Sequence, residues 1–332
     1  MRRAIFLTII GAVLMLACTG TWADSPVLIK GDGGIVRLPT NPNATQIWHL
    51  AAIEKYHLDE KYGFHLQIVP AATTQMVANA IHSGGAEIGL FGWIDIVRLR
   101  NAGVKVVGFA PFLRWGADHI ILAENVQAKT LADLKGKRIG TFSRSNVDWV
   151  LDEAVAKSVY HLDMEKDFIV QEGAVGLLRG LIESGQLDAA HMYNNLTPAI
   201  VADGKVHILY QMRQEIEQLG LPLTPQLLYA TTESYLGSHP QNVRAFAAAY
   251  AEAVQILDRQ DDIWQEKGKA LEMTPQSIVL LRDEMRDDLL TKFKPNDKAD
   301  IRKVFEFLLA EAGPQILGFS ALPDDFMTDG YQ

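Results

Sequence analysis

Up to about residue 211 the chain alternates short β-rich runs with amphipathic helical stretches, and this alternation limits the fold more than any other feature. Parallel neighbours in a sheet need a long crossover, usually a helix, so a strand–helix–strand order implies sheets with helices on their faces. Strands are predicted at 27–30, 65–69, 87–91 and 104–109, and a second series at 119–122, 138–141, 168–171, 187–192 and 206–210. Helical patterns lie between them, such as 147–161. There Val147, Val150, Leu151, Ala154 and Val155 recur at helical spacing, and Ser145 with Asp148 three residues on reads as a capping box.

The two series echo each other. Ile81-His82-Ser83-Gly84-Gly85-Ala86-Glu87-Ile88-Gly89 lines up with Ile182-Glu183-Ser184-Gly185-Gln186-Leu187-Asp188-Ala189-Ala190. Each segment reads as a helix end, a glycine cap, an acidic residue and a small apolar strand. Two lobes built on one plan would produce this pattern. After about Thr231 the character changes. Helical patterns at 241–259, 275–288 and 297–312 have no strand partners, and Pro240, Pro275 and Pro295 sit near their starts, where proline is tolerated. Such a tail must bury its apolar stripe, most simply against the first lobe.

The N-terminus reads as a secretory leader over 1–23. Arg2 and Arg3 precede an apolar stretch too short for a membrane span, and Thr21-Trp22-Ala23 offers a small-x-small cleavage site. Cleavage before Cys18, after the imperfect lipobox Met15-Leu16-Ala17, is the alternative and would leave a lipid anchor. Cys18 is the only cysteine. Thiol nucleophiles, thiolate zinc sites and iron–sulfur clusters are therefore not expected, and a chain of 332 residues can build a core without disulfides. The formal net charge of −9 makes nucleic acid or an anionic membrane a poor partner.

Several motifs carry a family resemblance. They are Glu60-Lys61-Tyr62-Gly63-Phe64, the Ser83–Glu87 turn, Ala102-Gly103-Val104-Lys105-Val106 and, most clearly, Thr130-Leu131-Ala132-Asp133-Leu134-Lys135-Gly136-Lys137-Arg138-Ile139-Gly140. In order and spacing they resemble the sulfonate, taurine and nitrate group of periplasmic solute-binding proteins, which also includes binders of thiamine-pyrimidine precursors. The resemblance implies an α/β fold of type II periplasmic binding architecture: two similar lobes, each with a central mixed sheet flanked by helices, and the helical tail docked on lobe one. It places lobe one at 24–118 and 227–332, and lobe two, inserted, at 119–226. It implies a periplasmic monomer without cofactor, with a small-molecule solute and an ABC permease and ATPase as partners.

In open α/β sheets ligands bind beyond the carboxyl ends of the strands. The loops at those ends supply the candidate site: Asn41 and Trp48 after the first strand region, Thr73 and Thr74 after the second, and Trp93 after the third. In lobe two they are Ser143, Arg144, Ser145 and Asn146, then Gly173-Ala174, then Tyr193 and Asn194. Hydroxyls and free N–H groups at a helix N-terminus, with an arginine beside them, suit an anion. Rings suit a flat or hydrocarbon part. Trp115 and Tyr229 are further aromatic candidates, though any one of these rings could equally be packing. Ser145 could simply cap its helix, and Arg144 could be a solvated surface residue. His49, His119 and His191 lack metal-ligand spacing and are expected to be surface or hydrogen-bonded; Asp287-Asp288 is expected to be solvated. The function expected is reversible capture of a small organic solute, anionic or aromatic, such as a sulfonate, a nitrate-like anion, an aromatic acid or a pyrimidine precursor. The alternative is an enzyme or a sensory binding protein on the same fold.

Overall fold

Two sheets of the same design organise the chain, which a computed structural model describes over residues 29–41, 44–144 and 146–331. The leader, Cys18, half of the strand expected at 27–30, and Ser145 lie outside the described residues. In the first sheet the strands are β1 (Ile35–Thr40), β2 (His65–Pro70), β3 (Gly89–Gly92) and β4 (Val106–Arg114). The second holds β5 (His119–Ala123), β6 (Arg138–Thr141), β7 (Ile169–Glu172), β8 (Ala189–Met192) and β9 (Val206–Gln211). A last strand, β10 (Pro225–Thr232), returns to the first sheet.

β1 pairs in parallel with β2, and β10 runs antiparallel between β3 and β4. The Glu87 and Ile88 N–H groups donate to the Arg37 carbonyl at 3.1 and 3.3 Å, joining these pieces in the order β2-β1-β3-β10-β4. The second sheet runs β7-β6-β8-β5-β9, with β5 antiparallel to both its neighbours. Strand for strand the plan repeats, β5 standing where β10 stands in the first lobe. The chain crosses between lobes at Trp115–Asp118 and again just before β10.

One ion pair shows how deep the repetition goes. Arg37 on β1 bonds the Glu87 carboxylate 50 residues on, and its Nη2 donates to the Gly84 carbonyl at 3.0 Å. Arg138 on β6 does the same with Asp188, also 50 residues on, and with the Gly185 carbonyl at 3.0 Å. In both lobes the carboxylate also accepts the arginine's own backbone N–H, tying the first strand to the glycine turn before the third. The acids are largely buried and the arginines are partly exposed. Asp188→Asn is expected to lower stability by about 1.5–3 kcal/mol, the usual worth of a hydrogen bond to a charged group. The Arg138 hydrogen bonds hold the Asp188 carboxyl below its ordinary value of 3.8. Its contribution is therefore complete above that value and is lost as pH falls through the lowered one. Urea denaturation of wild type and variant at pH 7 and at pH 3 checks both points, since the difference between them should shrink in acid.

Three expectations differ from the structure. The first strand is Ile35–Thr40; Ile29 and Lys30 are irregular, and Pro39 lies opposite Val69 in the β1–β2 ladder. β10 was not expected, because it opens on Pro225 and Gln226. Proline is tolerated as the first residue of a strand, and six of the eight β10 residues are buried. The tail is not confined to lobe one. The helix Pro240–Arg259 packs on the helices Ile47–Lys55 and Leu58–Tyr62 of lobe one. The helices Pro275–Asp288 and Asp297–Leu317, however, pack on the lobe-two helices Thr197–Ala202 and Val147–Tyr160. Lys157 and Glu311 pair across the second of these contacts at 2.7 Å. One buried apolar cluster consequently runs through both lobes, from Trp93 and Trp115 to Trp149, Phe305 and Leu308.

Candidate functional site at the hinge

The strand ends of the two lobes converge on the first crossover. β3 ends at Gly92, and Trp93 opens the helix Trp93–Asn101, with Asp95 in its first turn. Across from it, Tyr193 and Asn194 follow the end of β8. Tyr193 stacks on Phe142 with ring centroids 4.1 Å apart, and its hydroxyl accepts from Asn146 Nδ2 at 2.7 Å. Burial first, and then the charges of Asp148, Asp118 and Asp95, push the Tyr193 phenol up.

Behind Tyr193 is a polar centre that the sequence analysis did not single out. Asp148 and Asp152 stand one turn apart on the buried face of the helix Val147–Tyr160, His191 is on β8, and Asp118 is on the crossover. All four are buried among apolar side chains. His191 Nδ1 lies 2.5 Å from Asp152 Oδ2, and its Nε2 lies 3.3 Å from Asp118 Oδ2. The other Asp118 oxygen accepts the Asn194 N–H at 3.1 Å, and the Gln226 amide, from the first residues of β10, donates to Asp148. Burial pushes Asp148 well up, and the charge of Asp118 adds to it. Burial alone would lower His191, but Asp152 and Asp118 more than offset it and hold the imidazole high. Two legible signals pointed here: acids at i and i+4 inside an apolar stripe, and a histidine within the apolar run Ala189-Ala190-His191-Met192.

The expected site residues divide. Tyr193 and Asn194 follow β8 and Trp93 follows β3, with Asn194 bonded to Asp118 and Trp93 packed on Trp115 of the crossover. Trp93 is buried against Trp115, rings 5.7 Å apart, and neither indole N–H has a partner among the described residues. Asn194 is buried, with its Nδ2 3.6 Å from Met285 Sδ in the tail. Thr73 caps the helix Thr74–His82 by accepting the Met76 N–H at 3.2 Å; it and Thr74 are exposed at the second strand end. Asn41 Nδ2 donates to the Ala72 carbonyl at 3.3 Å, and Ser143 is half-buried.

Other residues are placed elsewhere. Trp48 lies in the lobe-one core, stacked on Trp264 at 4.9 Å, because it sits on the inward face of its helix. Tyr229 is buried on β10 beside His49. The helix cap expected at Ser145 belongs to Asn146, whose side chain accepts the Asp148 N–H at 3.1 Å. His49, His119 and His191 are all buried, and Asp288 is buried and paired with Arg213, because the tail packs on lobe two there. Arg144 is exposed but engaged. It pairs with Glu165 at 2.8 Å, and its Nη2 donates to the Val170 carbonyl at 3.0 Å, beside β7. Its charge is spent inside lobe two. Arg144→Ala is therefore expected to leave solute affinity unchanged, which isothermal titration checks; a tenfold loss would return the guanidinium to the site.

Two lobes on one plan, with facing strand ends and a two-stretch hinge, define the fold of the periplasmic binding proteins. The chain belongs to the NMT1/THI5-like family, whose model matches residues 43–261. A search of curated proteins returned no match. Among solved structures the chain is similar to the alkanesulfonate-binding protein SsuA from Xanthomonas axonopodis pv. citri bound to MOPS. The identity is 18%, over 84% of this chain and 93% of that one, with a TM-score of 0.68. It is similar also to the periplasmic aliphatic sulphonate binding protein SsuA from Escherichia coli, at 17% identity over 85% and 94%, TM-score 0.69. The desulfurization enzyme DSZB shares the fold too, at 14% identity over 90% and 97%, TM-score 0.63.

Proposed function

We propose that the protein is the solute-capturing component of an ABC importer, working in the periplasm and closing over a small organic solute without transforming it. The observation that carries this reading is the convergence itself. At the crossover Trp93 from lobe one packs on Trp115, and Asn194 from lobe two donates its N–H to Asp118, with Tyr193 and Asn146 bonded to each other beside it. Residues from both lobes can bury one ligand only when the lobes close, so binding and closure are coupled. The stacked Phe142–Tyr193 pair favours a solute with a flat ring, an aromatic acid or a pyrimidine precursor, over a nitrate-like anion. The Arg144 guanidinium pairs with Glu165 and the Val170 carbonyl beside β7, which weighs against its use as an anion partner. The closed form would dock on the permease and ATPase. Catalysis on this fold is the competing reading.

A thermal-shift panel of benzoate, 4-aminopyrimidine, taurine and nitrate tests the proposal, with mass spectrometry of the recovered compound. Ring compounds should raise the melting temperature and be recovered unchanged. Stabilisation by nitrate alone would overturn the ring preference, and steady conversion of a bound compound would overturn the transport reading.

A further inference from the structure

We infer that Asp118, Asp148 and His191 form a binding site for a divalent metal ion at the hinge, with Asp152, Asn194 and Gln226 positioning the three ligands. Each of the three offers one ligand atom, and these atoms lie within 4.8 Å of one another. All three side chains are buried, His191 being 1% exposed. Carboxylate and imidazole donors together suit zinc and its first-row neighbours.

The histidine points to an ion rather than to a mere acidic cluster. Asp152 Oδ2 sits 2.5 Å from Nδ1, where it can accept the Nδ1–H as carboxylates behind metal-bound histidines do. Nε2, deep in the core, faces Asp118 Oδ2 at 3.3 Å with an Asp148 oxygen close by, so a divalent ion could take the place of the Nε2 proton there. The Nε2–Oδ2 separation of 3.3 Å is long for a charged hydrogen bond, which prefers about 2.7–2.9 Å. It agrees with the roughly 3.3–3.6 Å between neighbouring ligands around a tetrahedral ion with bonds of about 2.0–2.2 Å.

Charge supports the same conclusion. Three carboxylates, Asp118, Asp148 and Asp152, are buried around one imidazole, and among the described residues no lysine or arginine pairs with any of them. One imidazole pairs with only two of these three buried carboxylates, and metal coordination is one of the few ways to meet the cost of burying such a group. The other sides of the ligands are already held: Asn194 N–H on Asp118, the Gln226 amide on Asp148, Asp152 on His191. Three protein ligands leave a coordination position for water or for an oxygen or nitrogen of the solute. Because Asp118 is on one crossover and Gln226 enters from the second, a bound ion would also brace the hinge. The inference stands on these side chains and is independent of what the cleft transports.

The test uses the purified chain without its leader, stripped with EDTA, dialysed and titrated calorimetrically with zinc chloride. About one zinc ion per chain should bind. His191→Gln and Asp148→Asn should each weaken binding by roughly 100-fold or more, Asp152→Asn by about 10–100-fold, and Arg144→Ala not at all. Circular dichroism in EDTA establishes that each variant is folded. Should a buried variant fail to fold, X-ray absorption at the zinc edge of the wild type decides instead, and should show one imidazole among oxygen or nitrogen ligands. Failure of the wild type to bind stoichiometric zinc, equal affinities in the folded variants, or a spectrum without imidazole would each overturn the site. Solute binding by a protein that takes no zinc would leave the transport reading intact and remove only this inference.

Discussion

Trp48→Ala is expected to lower the unfolding free energy by about 3–5 kcal/mol and to leave the solute affinity of the folded protein unchanged. Trp48 is in the helix Ile47–Lys55, 2% exposed, and stacks on Trp264 at 4.9 Å with 29° between the rings. Trp264 is itself fully buried and gives its indole N–H to the Leu257 carbonyl at 2.9 Å, so it cannot move to fill the space. The loss combines the transfer free energy of a large side chain, the cavity left behind and an aromatic pair worth about 0.5–1.5 kcal/mol. Guanidinium denaturation gives the stability, and isothermal titration gives the affinity. A variant of native stability with weakened binding would put the indole back in the cleft.

Tyr193→Ala should show the opposite pattern, a loss of solute affinity by about 30-fold or more with a smaller change in stability. A ring anchored in a largely desolvated pocket is the type of residue whose truncation costs about 2 kcal/mol or more in binding. Tyr193 is half-buried, stacked on Phe142 and fixed by Asn146, so it presents a rigid surface whose ordering cost is met before ligand arrives. Tyr193→Phe keeps the ring and loses only the hydroxyl contact, and should recover most of the affinity. Equal losses in the two variants would mean that the hydroxyl, not the ring, carries recognition.

The parts of the fold legible in the sequence were those set by local pattern. The helices Val147–Tyr160, Pro275–Asp288 and Pro240–Arg259 followed from apolar spacing and proline position, and the 297–312 pattern stops where Gly313 leaves helical geometry ahead of Pro314. β6 was placed correctly, because its short apolar run is bounded by a lysine-rich turn and polar residues. The internal echo at Ser83–Glu87 and Ser184–Asp188 marked the repeated lobe. Its partners Arg37 and Arg138 went unnoticed, since each lies 50 residues away and belongs to no local motif.

The site was less legible for a related reason. Strand-end reasoning offered Trp93, Tyr193, Asn194, Arg144 and Trp48 alike, as residues in or near the loops at strand ends. Only the packing shows that Arg144 turns to Glu165 and Trp48 into the core. The hinge centre draws Asp118, the helix pair Asp148 and Asp152, His191 and Gln226 from four places in the chain, and no spacing rule unites all of them. What could have been read was each member's misfit, a charged side chain where the local pattern called for an apolar one.

Capture by closure is tested most directly by small-angle scattering of the protein before and after saturation with the compound that stabilises it most in the thermal panel. Two chain stretches join the lobes, and Trp93 from one lobe and Asn194 from the other pack on the first of them, so a hinge closing over ligand should lower the radius of gyration on binding. A bound compound that leaves the radius unchanged, in a protein whose cleft is open to solvent beforehand, would contradict the account.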